Sequence, residues 1–599
     1  MRKKLRYAFM IILVFLSAIF SVSAISLASA GATSQEVIPL DSYVYEGIDS
    51  LYLLQGLGTA TTSRPWTKAQ ARLIFNRIDG SRLSGAFRAS YDVIEKEISS
   101  ILPVKLDDVF RLGGGASASF EAYAHANTQD FMMEKDWVRG FTDRRPLLKL
   151  NLDLSAGNWG YIHSDLQYGR SRYTSESYSP DGTGDGYGTD TQHGIGVVVP
   201  SGKAGFILPT SLYSMRQHFQ SSMSLTTALV DIQTPKRAVF SVGGGNWNVS
   251  LAKDRLSWGN GHSGNFIVDD HVDFHDYLRF TAFGDRFAYD SSIIFLDTNF
   301  SSSQDPDTDF RIFLLHRLEF RPWDTVTLVV SENVMYKNDV ANLSYLNPAY
   351  IYHNLNNHDM FNAIAHAELD WAFSPGWNVY GQFVLDQARA PHEDASQKGA
   401  WGLLGGVEHA CIVGAGILTT SLEAAMTTPV LYRRDEVDFL MFRKYFVLGQ
   451  SGEYRSFVLN PDYIGYPYGG DALVLQWDVS WRVPGQGVLG FRLMGMRHGK
   501  MNLLESHHTG GNNEEVPDYP GATPSGTADE IETRIHAQLS GEWQVMDRPN
   551  VSARVSLDWV GAWNKYSFTE DDGSGMVAYR NLPGFTHDFQ LTAGITVSI

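Results

Sequence analysis

Cysteine is nearly missing from this chain of 599 residues, in which Cys411 is the one thiol. A single thiol excludes an intramolecular disulfide framework and a zinc ribbon. Basic residues are also scarce, since 48 Lys and Arg stand against 66 Asp and Glu for a formal charge of −18. This balance argues against nucleic acid as a partner, because binding phosphate requires a concentrated basic surface.

Long hydrophobic runs are missing after residue 30. Before it, a basic start (Arg2, Lys3, Lys4, Arg6) precedes an apolar run over residues 8–20, which is short for a transmembrane span. The small residues Ala28 and Ala30 frame a cleavage site, with Ala24 as an earlier one. We therefore expect a cleaved signal peptide over residues 1–30, with an uncleaved anchor as the alternative. Its removal leaves 44 basic and 66 acidic residues.

Residues 31–110 predict a small helical bundle on the periplasmic side. Asp41 or Ser42 can cap a first helix, and Thr67 with Gln70 has the spacing of a capping box before a second. A third helix carries apolar side chains three and four positions apart up to Pro103. Three short helices form a marginal core alone, so we expect the bundle to dock on the remainder of the chain.

From residue 111 to 599 the hydrophobic period is two. In residues 473–483, for example, Leu473, Leu475 and Trp477 alternate with Val474, Gln476 and Asp478. Strands alternate faces, and repeated charge on the second face would be costly in a dry core. The pattern is typical of a transmembrane antiparallel β-barrel with a wet lumen and a lipid-facing surface. A soluble propeller or sandwich is the alternative.

The connections agree with this prediction, because tight turns alternate with long loops. Outer-membrane barrels have short periplasmic turns and long outer loops. Counting segments gives about 18 strands, with both barrel ends on the periplasmic side. Residues 437–459 can hold one more hairpin, which would make about 20.

Six blocks of the sequence, in order, resemble the Wzi-type capsule assembly family of outer-membrane proteins. They are residues 38–45 (IPLDSYVY), 64–67 (RPWT), 254–264 (DRLSWGNGHSG), 316–320 (HRLEF), 345–348 (YLNP) and 464–471 (IGYPYGGD). The resemblance implies an 18-stranded barrel with a periplasmic bundle that holds capsular or exopolysaccharide at the cell surface, lectin-like and non-catalytic. The loop 171–210 and the terminal Ile599 depart from it.

Aromatic residues in or beside the predicted outer loops are candidates for sugar binding, because an aromatic face suits the C–H face of a sugar ring and nearby polar groups suit its hydroxyls. The candidate ligand-binding residues are Trp258, His262, Asp269, Asp270, Tyr345, Asn347, Tyr350, Tyr463, Tyr466 and Tyr468. Interfacial or loop packing is the alternative for the aromatic members.

Two acidic loops and one basic patch have open interpretations. Asp181, Asp185 and Asp190 lie among glycines. They could be calcium ligands on a flexible loop, or they could simply form turns. Residues 269–276 are rich in Asp and His. They could form a metal site, or they could belong to a solvated or lumen-plugging loop. Basic residues in 433–455 either meet an anionic polysaccharide or pair with neighbouring acids. We expect no bound metal and no cofactor.

Catalytic motifs are missing: the sequence contains no Gly-x-Ser-x-Gly elbow and no His-Glu-x-x-His. We therefore expect a non-enzymatic protein. With the barrel pattern we expect a monomer in the outer membrane with lipid around it, and the resemblance implies capsular or exopolysaccharide as its partner. The alternative function is a porin or channel for small solutes, since a barrel of this size can enclose water.

Overall fold

The computed structural model describes residues 34–131, 134–170, 218–223, 230–231, 235–296, 310–338, 347, 361–387, 399–433, 437–448, 454–501, 503, 523–570 and 577–599. The predicted signal peptide and the acidic loop that holds Asp181, Asp185 and Asp190 lie outside these residues.

Within the described residues, three α-helices precede the barrel: α1 (Tyr43–Gln55), α2 (Lys68–Phe75) and α3 (Gly85–Ser99). The Ser42 hydroxyl accepts from the Val44 amide, and the Thr67 hydroxyl accepts from the Gln70 amide, so both predicted caps form. The helices share one buried core that includes Trp66. No helix in the described part of the chain is long and apolar enough to cross a membrane.

The remainder forms one closed antiparallel barrel of 18 strands, as the sequence predicts. The strands are β1 (Phe110–His125), β2 (Leu148–Ala156), β3 (Gly160–Arg170), β4 (Ala238–Gly243), β5 (Trp247–Asp254), β6 (His275–Phe283), β7 (Phe287–Leu296), β8 (Phe310–Trp323), β9 (Val326–Asn338), β10 (Phe361–Ser374), β11 (Trp377–Gln387), β12 (Ala400–Val413), β13 (Gly416–Thr427), β14 (Ala472–Val483), β15 (Gly487–His498), β16 (Glu532–Asp547), β17 (Asn550–Glu570) and β18 (Val577–Ser598).

The ring closes where β18 pairs with β1, with Gly594 opposite Glu121. The helices lie at the tight-turn end of the barrel: Gly56 approaches Pro375 in the β10–β11 turn, and Arg482 near the end of β14 pairs with Glu46 of α1. Large apolar side chains such as Leu475 and Leu591 point outward and are exposed, as a lipid-facing surface requires.

The predicted additional hairpin is present but does not enlarge the barrel. Strands Leu440–Leu448 and Tyr454–Tyr463 pair with each other in a separate two-stranded sheet. A second small sheet pairs Ser63–Arg64 with Ser257–Trp258. It joins a segment beside the helices to the long loop between β5 and β6, and both segments lie inside the lumen.

Lumen-facing residues differ between the two ends of the barrel. Near the tight turns they are polar, such as Thr281, Glu319 and Asp370. Near the long loops, lumen-facing Phe313 and Leu404 join a buried apolar cluster. The expectation of a wet lumen therefore fails in this outer half, because loops fold inward and pack against apolar walls.

Candidate functional site

Residues 59–64, here called the arm, leave the helical bundle and run into the lumen. Each of four successive hydroxyl-bearing residues donates its hydroxyl to a carboxylate on the barrel wall. The pairs are Thr59–Asp370 (2.6 Å), Thr61–Glu319 (2.7 Å), Thr62–Glu368 (2.6 Å) and Ser63–Asp290 (2.7 Å). Buried carboxylates require hydrogen-bond partners, and the arm supplies them along three strands of the wall, β7, β8 and β10.

Arginines on the wall neutralise the same carboxylates. Arg317 reaches Glu368 at 2.9 Å and Glu319 at 3.1 Å, and also donates to the Thr62 hydroxyl. Arg279 pairs with Asp290 at 2.5 Å. A buried charge is tolerated when it is paired and hydrogen-bonded. The arm and the wall form one such network, in which the Nε of Arg317 has no hydrogen-bond partner among the described residues.

Residues 255–274, here called the plug loop, fill the middle of the lumen. Trp258 and Phe266 are almost completely buried in the apolar cluster. Asp269 accepts hydrogen bonds from the backbone and the side chain of Asn265, and from the imidazole of His271 at 2.8 Å. These bonds turn the carboxylate of Asp269 toward its own loop.

His262, at the tip of the plug loop, contacts acidic residues of the wall. The Glu423 carboxylate accepts from the backbone amides of His262 (2.7 Å) and Ser263 (2.8 Å), and the Glu408 carboxylate pairs with the His262 imidazole. Desolvation within the lumen acts to lower the pKa of His262, but Glu408 raises the pKa to about 9. The imidazole is therefore positively charged at neutral pH and anchors the loop.

Two segments beyond β13, residues 428–433 and 463–471, close over the plug loop from the long-loop end. The Tyr432 hydroxyl donates to the Phe266 carbonyl at 2.7 Å. Gly264 has a φ of 135°, and a Cβ there would lie 2.2 Å from Pro467. The plug loop and these segments are thus packed as tightly as a soluble core.

The other side of the lumen is filled from above by the loop between β1 and β2. Within its described residues, Lys565 pairs with Asp136 at 2.8 Å, and the Val138 amide donates to Gln590 at 2.8 Å. His125 faces Asp588 at 2.6 Å. Together with the arm and the plug loop, this loop fills much of the described part of the lumen.

The predicted ligand-binding residues have different positions. Trp258, Tyr463 and Tyr466 are buried in the apolar cluster, so their rings present no free face in this structure. His262 and Asp269 bond within the lumen, as described above. Asp270 and Tyr468 are partly exposed, and Asn347 is exposed. Tyr345 and Tyr350 lie outside the described residues.

The alternatives for the charged loops are also decided in part. No group of three or more His, Cys, Asp or Glu among the described residues has metal-binding geometry. Residues 269–276 form the end of the plug loop and the start of β6. This position agrees with the lumen-plugging alternative for this segment. In the basic patch, Arg433 pairs with Asp438 at 2.9 Å, and Arg443 pairs with Asp462.

Sequence reasoning missed the arm and the apolar outer half of the lumen. One signal for the latter is present: residues 312–315 and 334–336 are apolar on both faces, which indicates a strand buried on both sides. For the arm, the run of hydroxyls in residues 59–63 carries no pattern that points to carboxylates more than two hundred residues away.

No family model and no curated protein sequence matches this chain. Among solved structures it is similar to Wzi of Escherichia coli, described as an outer membrane protein involved in group 1 capsule assembly and a carbohydrate-binding β-barrel. The TM-score is 0.53 at 13% identity, over 94% of this chain and 99% of that one. OprD of Pseudomonas aeruginosa gives a TM-score of 0.36 at 7% identity, over 82% and 95%. The fold is that of an outer-membrane β-barrel of the Wzi type.

Proposed function

We propose that this protein attaches or organises capsular or exopolysaccharide at the cell surface, as a lectin-like and non-catalytic barrel of the outer membrane. The observation that carries the proposal is the filled lumen: the arm, the plug loop and the loop after β1 occupy it with bonded and packed residues. A barrel filled in this way presents surfaces to a ligand instead of a wide path through the membrane.

The fold supports the same function, because Wzi is named as a carbohydrate-binding barrel involved in capsule assembly. That comparison rests on fold, at 13% identity, so the ligand must be argued from this chain.

The surface for the polysaccharide is proposed at the long-loop end. Asp270 and Tyr468 are partly exposed there, and they offer a carboxylate and an aromatic ring to sugar hydroxyls and C–H faces. Asn347, which is exposed, belongs to the same proposal. The buried rings of Trp258 and Tyr466 support the shape of this surface from below.

Two measurements test the function. Cells that lack the protein should release polysaccharide into the medium, and re-expression should restore its retention at the surface. Tyr468→Ala should weaken retention, whereas Trp323→Ala, at an exposed outward position beside a tight turn, is the matched control and should not. Unchanged retention in cells without the protein would contradict the proposal.

The alternative function is a porin for small solutes. The discriminating measurement is conductance of the purified protein in a planar bilayer. A filled lumen should give negligible steady current. A large current that stays the same when polysaccharide is added would favour the porin.

A further inference from the structure

The arm and the segment around Gln35 cover only one side of the tight-turn end of the lumen. Against β4 to β11, lumen-facing side chains near the turns are buried; Ser241 is 0% and Asn378 is 3% exposed. On β14 to β18 and β1 the equivalent positions, such as Ser552 and Thr596, are half-exposed. Water therefore enters the barrel on this second side.

On that side, exposure is higher near the turns than deeper in the barrel. Along β18, Ser598, Thr596 and Gly594 are half-exposed, whereas Thr592 and Gln590, further from the turns, are 3% and 6% exposed. The loop after β1 lies above them. The space is thus a blind, water-accessible vestibule that opens beside the helical bundle. We define it by Arg145, Asp478, Arg492, Ser540, Glu542 and Arg554.

The vestibule carries more positive than negative charge at its roof. Glu542 accepts from Arg145 at 2.8 Å and from Arg554 at 2.6 Å, so two guanidiniums share one carboxylate. Arg139 pairs with Glu121 at 3.2 Å beside them. In this cluster three arginines face two carboxylates, in a chain with a formal charge of −18. Elsewhere on the same face Arg492 is balanced by Asp478, and Asp558 adds a further carboxylate.

Two arginines in the vestibule use only part of their hydrogen-bonding capacity. Arg554 bonds Glu542 through Nε and Nη2, and Arg492 bonds Asp478 through Nε at 2.7 Å. Within the described part of the chain their other amino groups are left for water, and the Arg492 side chain is 41% exposed. A guanidinium edge is the donor that best matches a carboxylate or phosphate oxygen pair.

The two arginines are too far apart for one small anion. Arg492 pairs with Gln538, which pairs with Asp558, four residues along β17 from Arg554. Strand spacing and rise then separate the two positions by about 16 Å. Ser540, Ser556 and Gln538 lie on the same inward face between them. The Ser556 hydroxyl and the Gln538 amide donate to Asp558, so these two residues offer a ligand acceptor oxygens. That arrangement suits a chain of several hydroxyl-rich units that bear carboxylates.

We propose that the vestibule binds a carboxylate-bearing oligosaccharide that enters from the tight-turn side. This is a second site, at the opposite end of the barrel from the proposed surface site. Its ligand class rests on the proposed function, but its location rests on the vestibule alone. The arginines would hold the carboxylates, and the serines and Gln538 would contact the hydroxyls.

Binding is tested by calorimetry on the full-length protein in zwitterionic detergent at low salt, with an oligoglucuronate as the probe. The double variant Arg492→Gln/Arg554→Gln should lose at least about tenfold in affinity, because hydrogen bonds to charged groups are removed. Arg88→Gln, on the exposed surface of α3, is the matched control and should bind as the wild type. Unchanged affinity in the double variant would overturn the proposal.

A second variant that is expected to bind more tightly separates loss of the site from simple misfolding. Glu542→Gln removes the carboxylate that competes for Arg145 and Arg554, so it should raise affinity for oligoglucuronate several-fold. A loss in this variant would contradict the proposal. Inorganic phosphate and polyglutamate are tested in the same way. If either binds as tightly as oligoglucuronate, the site recognises a simple anion or an acidic peptide, and the proposal is overturned.

Access is tested by labelling. In a Cys411→Ser background, Ser552→Cys should react with a small anionic thiol reagent, and oligoglucuronate should slow the reaction. Ser241→Cys, at a similar distance from its turn but buried under the arm side, should not react. Equal labelling of both would contradict the vestibule. Failure of binding with intact cell-surface retention would reject this site and leave the proposed function standing.

Discussion

The lumen of this barrel is filled in two physically different ways. Near the tight turns the arm meets the wall through hydroxyl–carboxylate and arginine–carboxylate bonds, such as Thr62 with Glu368 and Arg317. Near the long loops, Phe266 packs in an apolar cluster that has the burial of a soluble core. Both fillings exclude water, but the first depends on complete pairing and the second on complete packing.

The difference teaches where each filling is vulnerable. A buried charge network loses most when one partner is removed, because the remaining charge stays buried. An apolar core loses in proportion to the volume removed. Mutations of similar size should therefore have different costs in the two halves.

The largest effect is expected at Arg317. Arg317→Met leaves Glu368 buried without its cation and leaves Glu319 with Arg321 alone, which costs about 3–5 kcal/mol. Urea unfolding in lipid vesicles, followed by tryptophan fluorescence, measures the change. Arg88→Met on α3, an exposed ion pair with Asp92, should change the free energy of unfolding by less than about 1 kcal/mol. Equal losses of unfolding free energy in Arg317→Met and Arg88→Met would contradict the buried charge network.

The apolar half is tested at Leu256, which is 0% exposed in the plug loop. Leu256→Ala should cost about 2–5 kcal/mol by leaving a cavity. Leu251→Ala, outward on β5 and 48% exposed to lipid, makes no cavity in the lumen and should cost less in the same unfolding measurement. A larger cost for Leu251→Ala would mean that the plug loop is loosely packed.

A smaller effect is expected for one hydroxyl of the arm. Thr62→Val keeps the shape but removes a donor to Glu368 and an acceptor for Arg317, for a cost of about 1–3 kcal/mol. Thr533→Val on β16, where no hydrogen bond to the hydroxyl is described, is the control. If both variants unfold at the same urea concentration, the arm contributes shape alone.

The smallest effect is a pH dependence at the boundary between the two fillings. Since the pKa of His262 is raised to about 9 from 6.5, its pairing with Glu408 stabilises the folded state below pH 6.5. That contribution is lost as the pH rises through about 9. The urea midpoints of the wild type and His262→Gln should therefore differ at low pH and converge above that value. A constant difference would contradict the prediction.

The barrel could be predicted from the sequence because period-two alternation and turn chemistry are local signals. The β10–β11 turn at residues 374–377, for example, is fixed by Ser374, Pro375 and Gly376. Capping of α1 and α2 is local as well, and it forms as expected.

The contents of the lumen could not be predicted in the same way. Trp258 and Tyr466 have the composition of a sugar platform and lie in predicted loops, yet both are buried in the plug. A loop that folds inward and one that faces solvent have the same local sequence. The distinction arises from contacts across the barrel, such as Ser263 with Tyr466 at 3.0 Å.

The arm has a consequence for the order of assembly. Its four carboxylate partners lie 227 to 311 positions further along the chain, and the ring closes only when β18 meets β1. The arm therefore has none of these partners until β7, which carries Asp290, has been synthesised. Contacts at such separations slow folding. The polar filling and the barrel wall are thus coupled over long distances along the chain, and the network at the arm can be completed only when most of the wall is present.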